Sequence, residues 1–157
     1  MRRKDREVTN VDEMERIIRQ CTVCHLAIHH SPYPYVIPLN FGYTRVDNTF
    51  SLYFHSAKEG KKLRLIRLNP FVSFSMECNT RLIAGEEARD YSMEYESVCG
   101  SGVISVVSDG QKTPALEALM RQYAPSQSFS FPQEALSATM ALRLNVLQIT
   151  GKRNIRE

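Results

Sequence analysis

The stretch Phe54-His55-Ser56-Ala57-Lys58-Glu59-Gly60-Lys61-Lys62 decides how the fold is interpreted, because a strand here gives way to a charged helix. Free backbone N–H groups at a helix start, next to two lysines, can bind a phosphate. Composition alone favours a plainer interpretation, a solvated helix start whose lysines contact nothing. The chain contains no Gly-x-x-x-x-Gly-Lys-Ser/Thr phosphate loop, so the surrounding sequence must separate the two interpretations.

The segments on either side of this stretch are rich in β-forming residues, and they predict six short strands. These strands are predicted over 22–29, 35–43, 50–55, 71–77, 95–107 and 140–150. Helices are predicted over 11–18, capped by Thr9 or Asn10, over 57–67 and 132–138, and from about Thr113. Short, adjacent, mostly antiparallel strands of this number suit a small barrel, because closing the sheet removes its exposed edges. The predicted fold is therefore mainly β, a six-stranded antiparallel barrel with flanking helices.

Length and charge limit the classes of protein that the chain can represent. Its 157 residues predict a single domain over 1–157. Lys and Arg number 20 against 17 Asp and Glu, and the resulting charge of +3 is too small to indicate a nucleic-acid partner. No apolar run approaches membrane-spanning length and no targeting segment is evident, so we expect a cytoplasmic protein without a membrane partner. In that compartment the four cysteines should be reduced.

The segment Cys21-Thr22-Val23-Cys24-His25 matches the Cys-x-x-Cys-His pattern of covalent c-type haem. Haem attachment usually requires export, and the chain shows no export signal, so this interpretation is disfavoured. Zinc bound by this segment with His29 and His30 is disfavoured too, because no second ligand pair follows at finger spacing. We expect no metal site here, and we expect the cysteines to be buried as small apolar residues.

Two longer segments make the sequence recognisable. Residues 34–43 read Pro-Tyr-Val-Ile-Pro-Leu-Asn-Phe-Gly-Tyr, and residues 52–63 read Leu-Tyr-Phe-His-Ser-Ala-Lys-Glu-Gly-Lys-Lys-Leu, followed by Asn69-Pro70. Further matching pieces are residues 1–7, 91–102, 115–120 and 149–152. In this order they resemble the pyridoxamine-phosphate-oxidase-like flavin-binding split-barrel family, and more narrowly its nitroimidazole-resistance-related branch. The resemblance covers nearly the whole chain.

The resemblance implies a six-stranded antiparallel split barrel that forms a homodimer, with FMN bound in a groove at the subunit interface. FAD carries the same ring and a phosphate in the same place, so it stays an alternative cofactor. Residues 38–40 would lie along the ring and ribityl chain, residues 54–56 would border them, and the lysine pair would hold the phosphate. The strand around residue 97 would contribute from one or the other subunit. The implied cofactor-binding residues are Pro38, Leu39, Asn40, Phe54, His55, Ser56, Lys61, Lys62, Ser97 and Val98.

His55 is the catalytic residue that the resemblance favours. It ends a strand beside the implied flavin ring, where an imidazole could hydrogen-bond the flavin or donate a proton to a reduced substrate. A purely structural histidine is the alternative. Where many family members carry Trp, this chain has Tyr91 and contains no Trp, so the wall on the substrate side departs from the family pattern.

The activity implied by the resemblance is that of an FMN-dependent oxidoreductase. Reduced flavin would pass electrons to a small molecule, such as a nitroaromatic compound of the 5-nitroimidazole type. The chain has no Gly-x-Gly-x-x-Gly fingerprint, so a nicotinamide donor would have to dock directly on the flavin. The alternatives are a flavin carrier or sensor without turnover, and a haem protein built on the same barrel.

Overall fold

One antiparallel sheet of eight strands dominates the computed structural model, which describes residues 3–155. The strands are β1 (Glu7–Val8), β2 (Cys24–Ile28), β3 (Tyr35–Leu39), β4 (Gly42–Val46), β5 (Thr49–Ala57), β6 (Phe71–Ile83), β7 (Ser92–Val106) and β8 (Thr139–Asn154). The helices are α1 (Val11–Gln20), α2 (Lys61–Leu68), α3 (Asp109–Tyr123) and α4 (Gln133–Ala138), with 3-10 turns at Lys4–Arg6 and Ala88–Asp90. The predicted fold class is confirmed. Met1 and Arg2, which belong to the matching segment 1–7, lie outside the described residues.

The sheet is curled but not closed, and its opening lies between β3 and β4. The strand order is β3-β2-β6-β7-β8-β5-β4, with β1 added beside β8. β3 and β4 are thus the two edges of the sheet, yet only Asn40 and Phe41 separate them in the chain. This link keeps Leu39 and Gly42 within about 11 Å of each other, so the sheet must curl. No ladder joins the two edges within residues 3–155, and the barrel is split there.

Several boundaries differ from the sequence-based prediction. β6 and β8 run on to Ile83 and Asn154, past the predicted ends at 77 and 150, and β7 begins at Ser92 rather than at 95. The predicted strand over 35–43 is two strands, because the chain crosses the split at Asn40 and Phe41. Together with the short β1, this raises the strand number from six to eight. α2 begins at Lys61 rather than Ala57, because β5 continues as a strand to Ala57, and α3 begins at Asp109, ahead of Thr113.

Alternating side chains fill the inside of the barrel. Along β6, Val72, Phe74 and Met76 are buried while the residues between them face outward. α1 packs against β6 and β7 through Met14, Ile17 and Ile18. The largest fully buried side chains are Phe41, Phe50, Phe54, Ile17, Ile18, Leu26, Ile28, Leu52, Leu63, Met76, Ile104 and Leu142. Of the two predicted caps for α1, Asn10 is the one used, because its Oδ1 accepts hydrogen bonds from the N–H groups of Asp12 and Glu13.

α3 covers the outer face of β4, β5 and β8 and fixes the point where the chain crosses the split. Its last residue, Tyr123, accepts a hydrogen bond on Oη from the N–H of Phe41 at 2.9 Å. The same hydroxyl donates to the carbonyl oxygen of Thr22 at 2.9 Å. The short link between the two edges of the sheet is therefore tied to a helix on the outside of the barrel.

A buried carboxylate ties α1 to the sheet. Glu96 on β7 is 1% exposed, and it accepts hydrogen bonds from the guanidinium of Arg16 and from Nδ2 of Asn79. Burial alone would raise the pKa of Glu96, but the hydrogen bonds from Arg16 and Asn79 outweigh it and lower the pKa below its ordinary value. Glu96 is thus held charged inside the protein by partners on other elements.

Replacing Arg16 with alanine should lower the free energy of unfolding by about 2 kcal/mol near pH 7, because the buried Glu96 carboxylate loses its main partner. This loss of stability should be smaller than for a fully buried ion pair, because the Arg16 side chain is 38% exposed and its charge is partly screened by solvent. The pKa of Glu96 is lowered in the fold. The ion pair therefore contributes its full stability to the fold at pH values above the ordinary glutamate pKa of about 4.3. This contribution is lost as the pH falls through the lowered pKa that Glu96 has in the folded protein.

Urea unfolding at pH 7 and at pH 3 measures this effect, with Arg19→Ala on the exposed side of α1 as the matched control. The gap between wild type and Arg16→Ala should narrow at the lower pH. Equal stability of Arg16→Ala and wild type at pH 7 would contradict the role given to the pair.

Candidate functional site

The start of α2 presents backbone N–H groups that no side chain caps. Gly60 occupies the N-cap position with φ +137°, a conformation that favours glycine, and it offers no side chain to the first turn. The first N–H groups of a helix have no partner within the helix. They carry the positive end of the helix dipole as well. The loop after β5 therefore ends in a set of donors that is suited to an anion.

Lys61 and Lys62 extend this positive end. The ammonium of Lys61 lies 4.7 Å from the ring centroid of Tyr35 on β3. Lys62 is half-buried, and burial lowers the pKa of its ammonium group. Within residues 3–155 neither lysine forms an ion pair with an acidic side chain. A partly desolvated cation without a counter-ion is costly to keep, and a bound anion would relieve that cost.

The end of β5 divides the three predicted residues there between two faces. Phe54 and Ser56 are buried and point into the barrel, whereas His55 between them points outward and is exposed. The imidazole of His55 forms no hydrogen bond or ion pair with other described residues. It stands opposite Ala141 in the ladder between β5 and β8. His55 is thus available to a molecule outside the barrel, while Phe54 belongs to the core.

Residues 38–40 lie beside the split. β3 pairs with β2 on one side only, so its other side is an open edge with free backbone N–H and C=O groups. Pro38 and Asn40 are exposed, and Leu39 is partly buried against the core. Tyr35, which contacts Lys61, begins the same strand. The open edge of β3 therefore leads from the start of α2 toward Asn40, over about 10 Å from Tyr35 to Pro38.

Ser97 and Val98 lie away from these groups within one chain. β7 is the third strand beyond β3 in the sheet, which separates the two by about 14 Å. Val98 is fully buried and faces the core, so its side chain reaches no surface. Ser97 is on the outer face, where its Oγ donates to the carbonyl oxygen of Lys152 at 3.5 Å. The structure thus brings residues 38–40 and the start of α2 together, and leaves residues 97 and 98 apart.

The sequence analysis missed two features of the site. The contact of Tyr35 with Lys61 depends on how α2 packs, although Tyr35 lies inside the recognisable segment 34–43. A basic row also continues along the exposed face of α2 through Arg64 and Arg67. This row borders a cavity of about 450 Å³ that also touches Gly60 and Lys61. The signal was present as basic residues three positions apart, which share a helix face.

The two cysteines of the Cys-x-x-Cys-His segment pack in the core of the protein. Cys21 and Cys24 are free thiols and fully buried, and burial raises the pKa of both, that of Cys24 to about 12. No group of three or more His, Cys, Asp or Glu side chains within residues 3–155 is arranged to hold a metal ion. Among the described helices, none has the length and apolar character needed to cross a membrane.

A split antiparallel barrel with a basic, uncapped helix start beside its open edge defines a recognisable class of small ligand-binding barrels. The chain belongs to the pyridoxamine 5'-phosphate oxidase family, whose model matches residues 10–153. This confirms the resemblance carried by residues 34–43 and 52–63. A search of curated protein sequences found no match.

Solved structures agree with this placement. A candidate 5-nitroimidazole antibiotic resistance protein from Bacteroides thetaiotaomicron is 30% identical, over 94% of this chain and 86% of that one, with a TM-score of 0.81. This match supports the nitroimidazole-resistance-related branch. Two others share the fold at a TM-score of 0.82. They are an FAD and heme binding protein from Mycobacterium smegmatis, at 19% identity over 96% and 74% of the two chains, and the flavocytochrome Anf3 from Azotobacter vinelandii, at 14% over 99% and 72%.

Proposed function

We propose that this chain binds a flavin, FMN in the first instance, and uses it as an oxidoreductase toward a small molecule. The observation that carries the proposal is the half-buried Lys62, which has no acidic partner among the described residues and lies at the uncapped start of α2. A flavin phosphate carries roughly −1.5 to −2 charge near neutral pH, as phosphate esters do. It would supply the missing counter-ion to Lys61 and Lys62.

The residues around the split fit the rest of the cofactor. When bound, a flavin supplies the electron-transfer chemistry. The open edge of β3 offers backbone donors and acceptors to a ribityl chain and a ring edge beside Pro38 and Asn40. FAD presents the same groups to the same residues. Because several similar proteins are described as FAD-binding, FAD is the alternative cofactor in this proposal.

The outer face of the sheet supports a homodimer as part of this proposal. Most of the directly opposed residues in the middle of β2, β6 and β7 on that face are small, with His25 opposite Ser75 as the larger exception. The small residues are Ala27, Ser73, Ser75, Cys99 and Ser101. Beside them Phe71 and Leu147 are 65% and 68% exposed. A second copy packed on this face would cover both, and a contribution of Ser97 from one or the other subunit is part of the same proposal.

For the substrate we propose a small nitroaromatic compound. The support is the 30% identical protein from Bacteroides, described as a candidate for 5-nitroimidazole antibiotic resistance. His55 is exposed and uncommitted, so its imidazole is free to hold or donate a proton at the substrate. Tyr91, 52% exposed, stands where many family members carry Trp, so the wall on the substrate side departs from the family pattern.

Spectroscopy of the purified protein tests the proposal. We expect a yellow protein whose released cofactor has the mass of FMN or FAD. Under anaerobic conditions, NADH or NADPH should bleach the flavin, and a 5-nitroimidazole should restore its colour. A flavin that no nicotinamide nucleotide bleaches would favour a carrier or sensor, and a Soret band without flavin absorbance would refute flavin binding in favour of haem.

Replacing His55 with asparagine should lower nitroimidazole turnover by about 100-fold, the low end of what a positioned proton donor contributes. Flavin affinity should change little, since the phosphate contacts are untouched. His29→Asn, an exposed histidine in the loop after β2, is the matched control. Turnover and FMN affinity are measured on the same preparations. Unchanged turnover in His55→Asn, with flavin bound, would remove His55 from the catalytic role.

A further inference from the structure

A large cavity lined by described residues lies outside the site proposed for the flavin phosphate. It has a volume of about 920 Å³, and we call it the α3 cavity because the start of α3 forms one wall. Its lining includes Lys58, Arg67, Ser108, Asp109, Lys112 and Met140. Ligand pockets for small molecules are typically about 300–1,000 Å³, so a nucleotide would fit.

The α3 cavity carries excess positive charge. Lys112 is 8% exposed and already committed, because its ammonium donates to Oδ1 of Asp109 at 2.9 Å and to the carbonyl oxygen of Leu136 at 3.0 Å. Asp109 is the cavity's acidic side chain, and Lys112 neutralises it. Lys58 and Arg67 form no ion pair within residues 3–155. Lys112, and more weakly the charge of Lys58, hold the pKa of the Asp109 carboxyl below its ordinary value. The cavity still has three cationic side chains against one carboxylate, so it keeps an excess of positive charge for a ligand.

The α3 cavity adjoins the proposed flavin site. Met140, in its lining, stands directly opposite Ser56 in the ladder between β5 and β8. Arg67 borders both the α3 cavity and the smaller cavity beside Gly60 and Lys61. A ligand in the α3 cavity would thus lie beside the end of β5 and next to the basic face of α2.

We propose that the α3 cavity binds a phosphate-bearing nucleotide, with Lys58 and Arg67 contacting its phosphates. Guanidinium and ammonium groups are the side chains that form charge-assisted hydrogen bonds to phosphate. Val106, Leu136 and Met140 supply an apolar wall for the base. The phosphates and the base could belong to a separate nucleotide or to the adenylyl half of FAD. The site itself does not require a bound flavin, so it can be tested independently of the proposed function.

Calorimetric titration with ADP tests the proposal on flavin-free and on FMN-loaded protein. We expect ADP to bind wild type, and Lys58→Ala/Arg67→Ala to weaken it by about 100-fold, since each lost charge-assisted contact costs about tenfold or more. FMN affinity should fall far less than ADP affinity. Lys4→Ala/Arg121→Ala, which removes two exposed cations elsewhere, is the charge-matched control and should leave ADP binding unchanged.

One measurement distinguishes a separate nucleotide from the adenylyl half of FAD. It is the ratio of FAD affinity to FMN affinity of the flavin-free protein. A fall of this ratio in Lys58→Ala/Arg67→Ala assigns the cavity to the adenylyl half of FAD, and an unchanged ratio with lost ADP binding assigns it to a separate nucleotide. The proposal is overturned if ADP binds neither form of wild type, if the double variant keeps ADP affinity, or if it loses FMN and ADP affinity equally. Failure of flavin binding by wild type would instead overturn the proposed function, with ADP binding to the flavin-free protein unaffected.

Discussion

Replacing both Lys61 and Lys62 with alanine should weaken FMN binding by roughly 10²–10⁴-fold. Each lost charge-assisted hydrogen bond to the phosphate costs about 1.5–3 kcal/mol, and two such losses together give this range. The residual affinity comes from the N–H groups at the start of α2 and from the edge of β3. Fluorescence titration of FMN with flavin-free protein measures the dissociation constant. Binding to wild type should weaken with added salt, because the contacts are ionic.

The stability of the flavin-free double variant distinguishes a binding role from a structural one. Burial lowers the pKa of Lys62, which means that the fold disfavours its charged form. Removing that charge should leave the flavin-free protein as stable as wild type or slightly more stable. Lys4→Ala/Arg121→Ala again serves as the charge-matched control. The assignment fails if the variant keeps wild-type FMN affinity, or if its only defect is loss of stability without flavin.

Much of the fold was predictable because its elements have strong local patterns. The alternation of Val72, Phe74 and Met76 with outward residues marks β6 without any tertiary information. The split was not predictable in the same way. Asn40 and Phe41 are too few to look like a connection between opposite edges of a sheet, so residues 35–43 resemble one continuous strand.

The residue types of the candidate site could be predicted from the sequence, but their burial and relative positions could not. Two lysines after a glycine indicate an anion site, yet the desolvation of Lys62 arises only when α2 packs on the barrel. Alternation along β5 could have separated His55 from its neighbours, since residue 55 must face opposite to residues 54 and 56. The positions of Ser97 and Val98 relative to β3 depend on strand order, which is a property of the whole sheet.

Gly42 is a position whose importance no local pattern reveals. It is the first residue of β4, just past the split, and α3 packs directly over it. A Cβ at Gly42 would lie 2.2 Å from the carbonyl oxygen of Ala118 and 2.3 Å from Cα of Leu119. Both are backbone atoms of a helix and cannot move as a flexible side chain can. A side chain here therefore requires the whole of α3 to shift away from the sheet.

Gly42→Ala should lower the free energy of unfolding by about 3 kcal/mol, the upper end for overpacked sites, because backbone atoms must move. Gly110→Ala, in the first turn of the same helix and with no atom near its Cβ, should be neutral or stabilising by about 0.5 kcal/mol. Urea unfolding followed by circular dichroism compares the two variants. FMN affinity should fall in Gly42→Ala as well, because α3 holds the link at Phe41 through Tyr123. Equal stability of the two variants would show that α3 docks more loosely than the structure indicates.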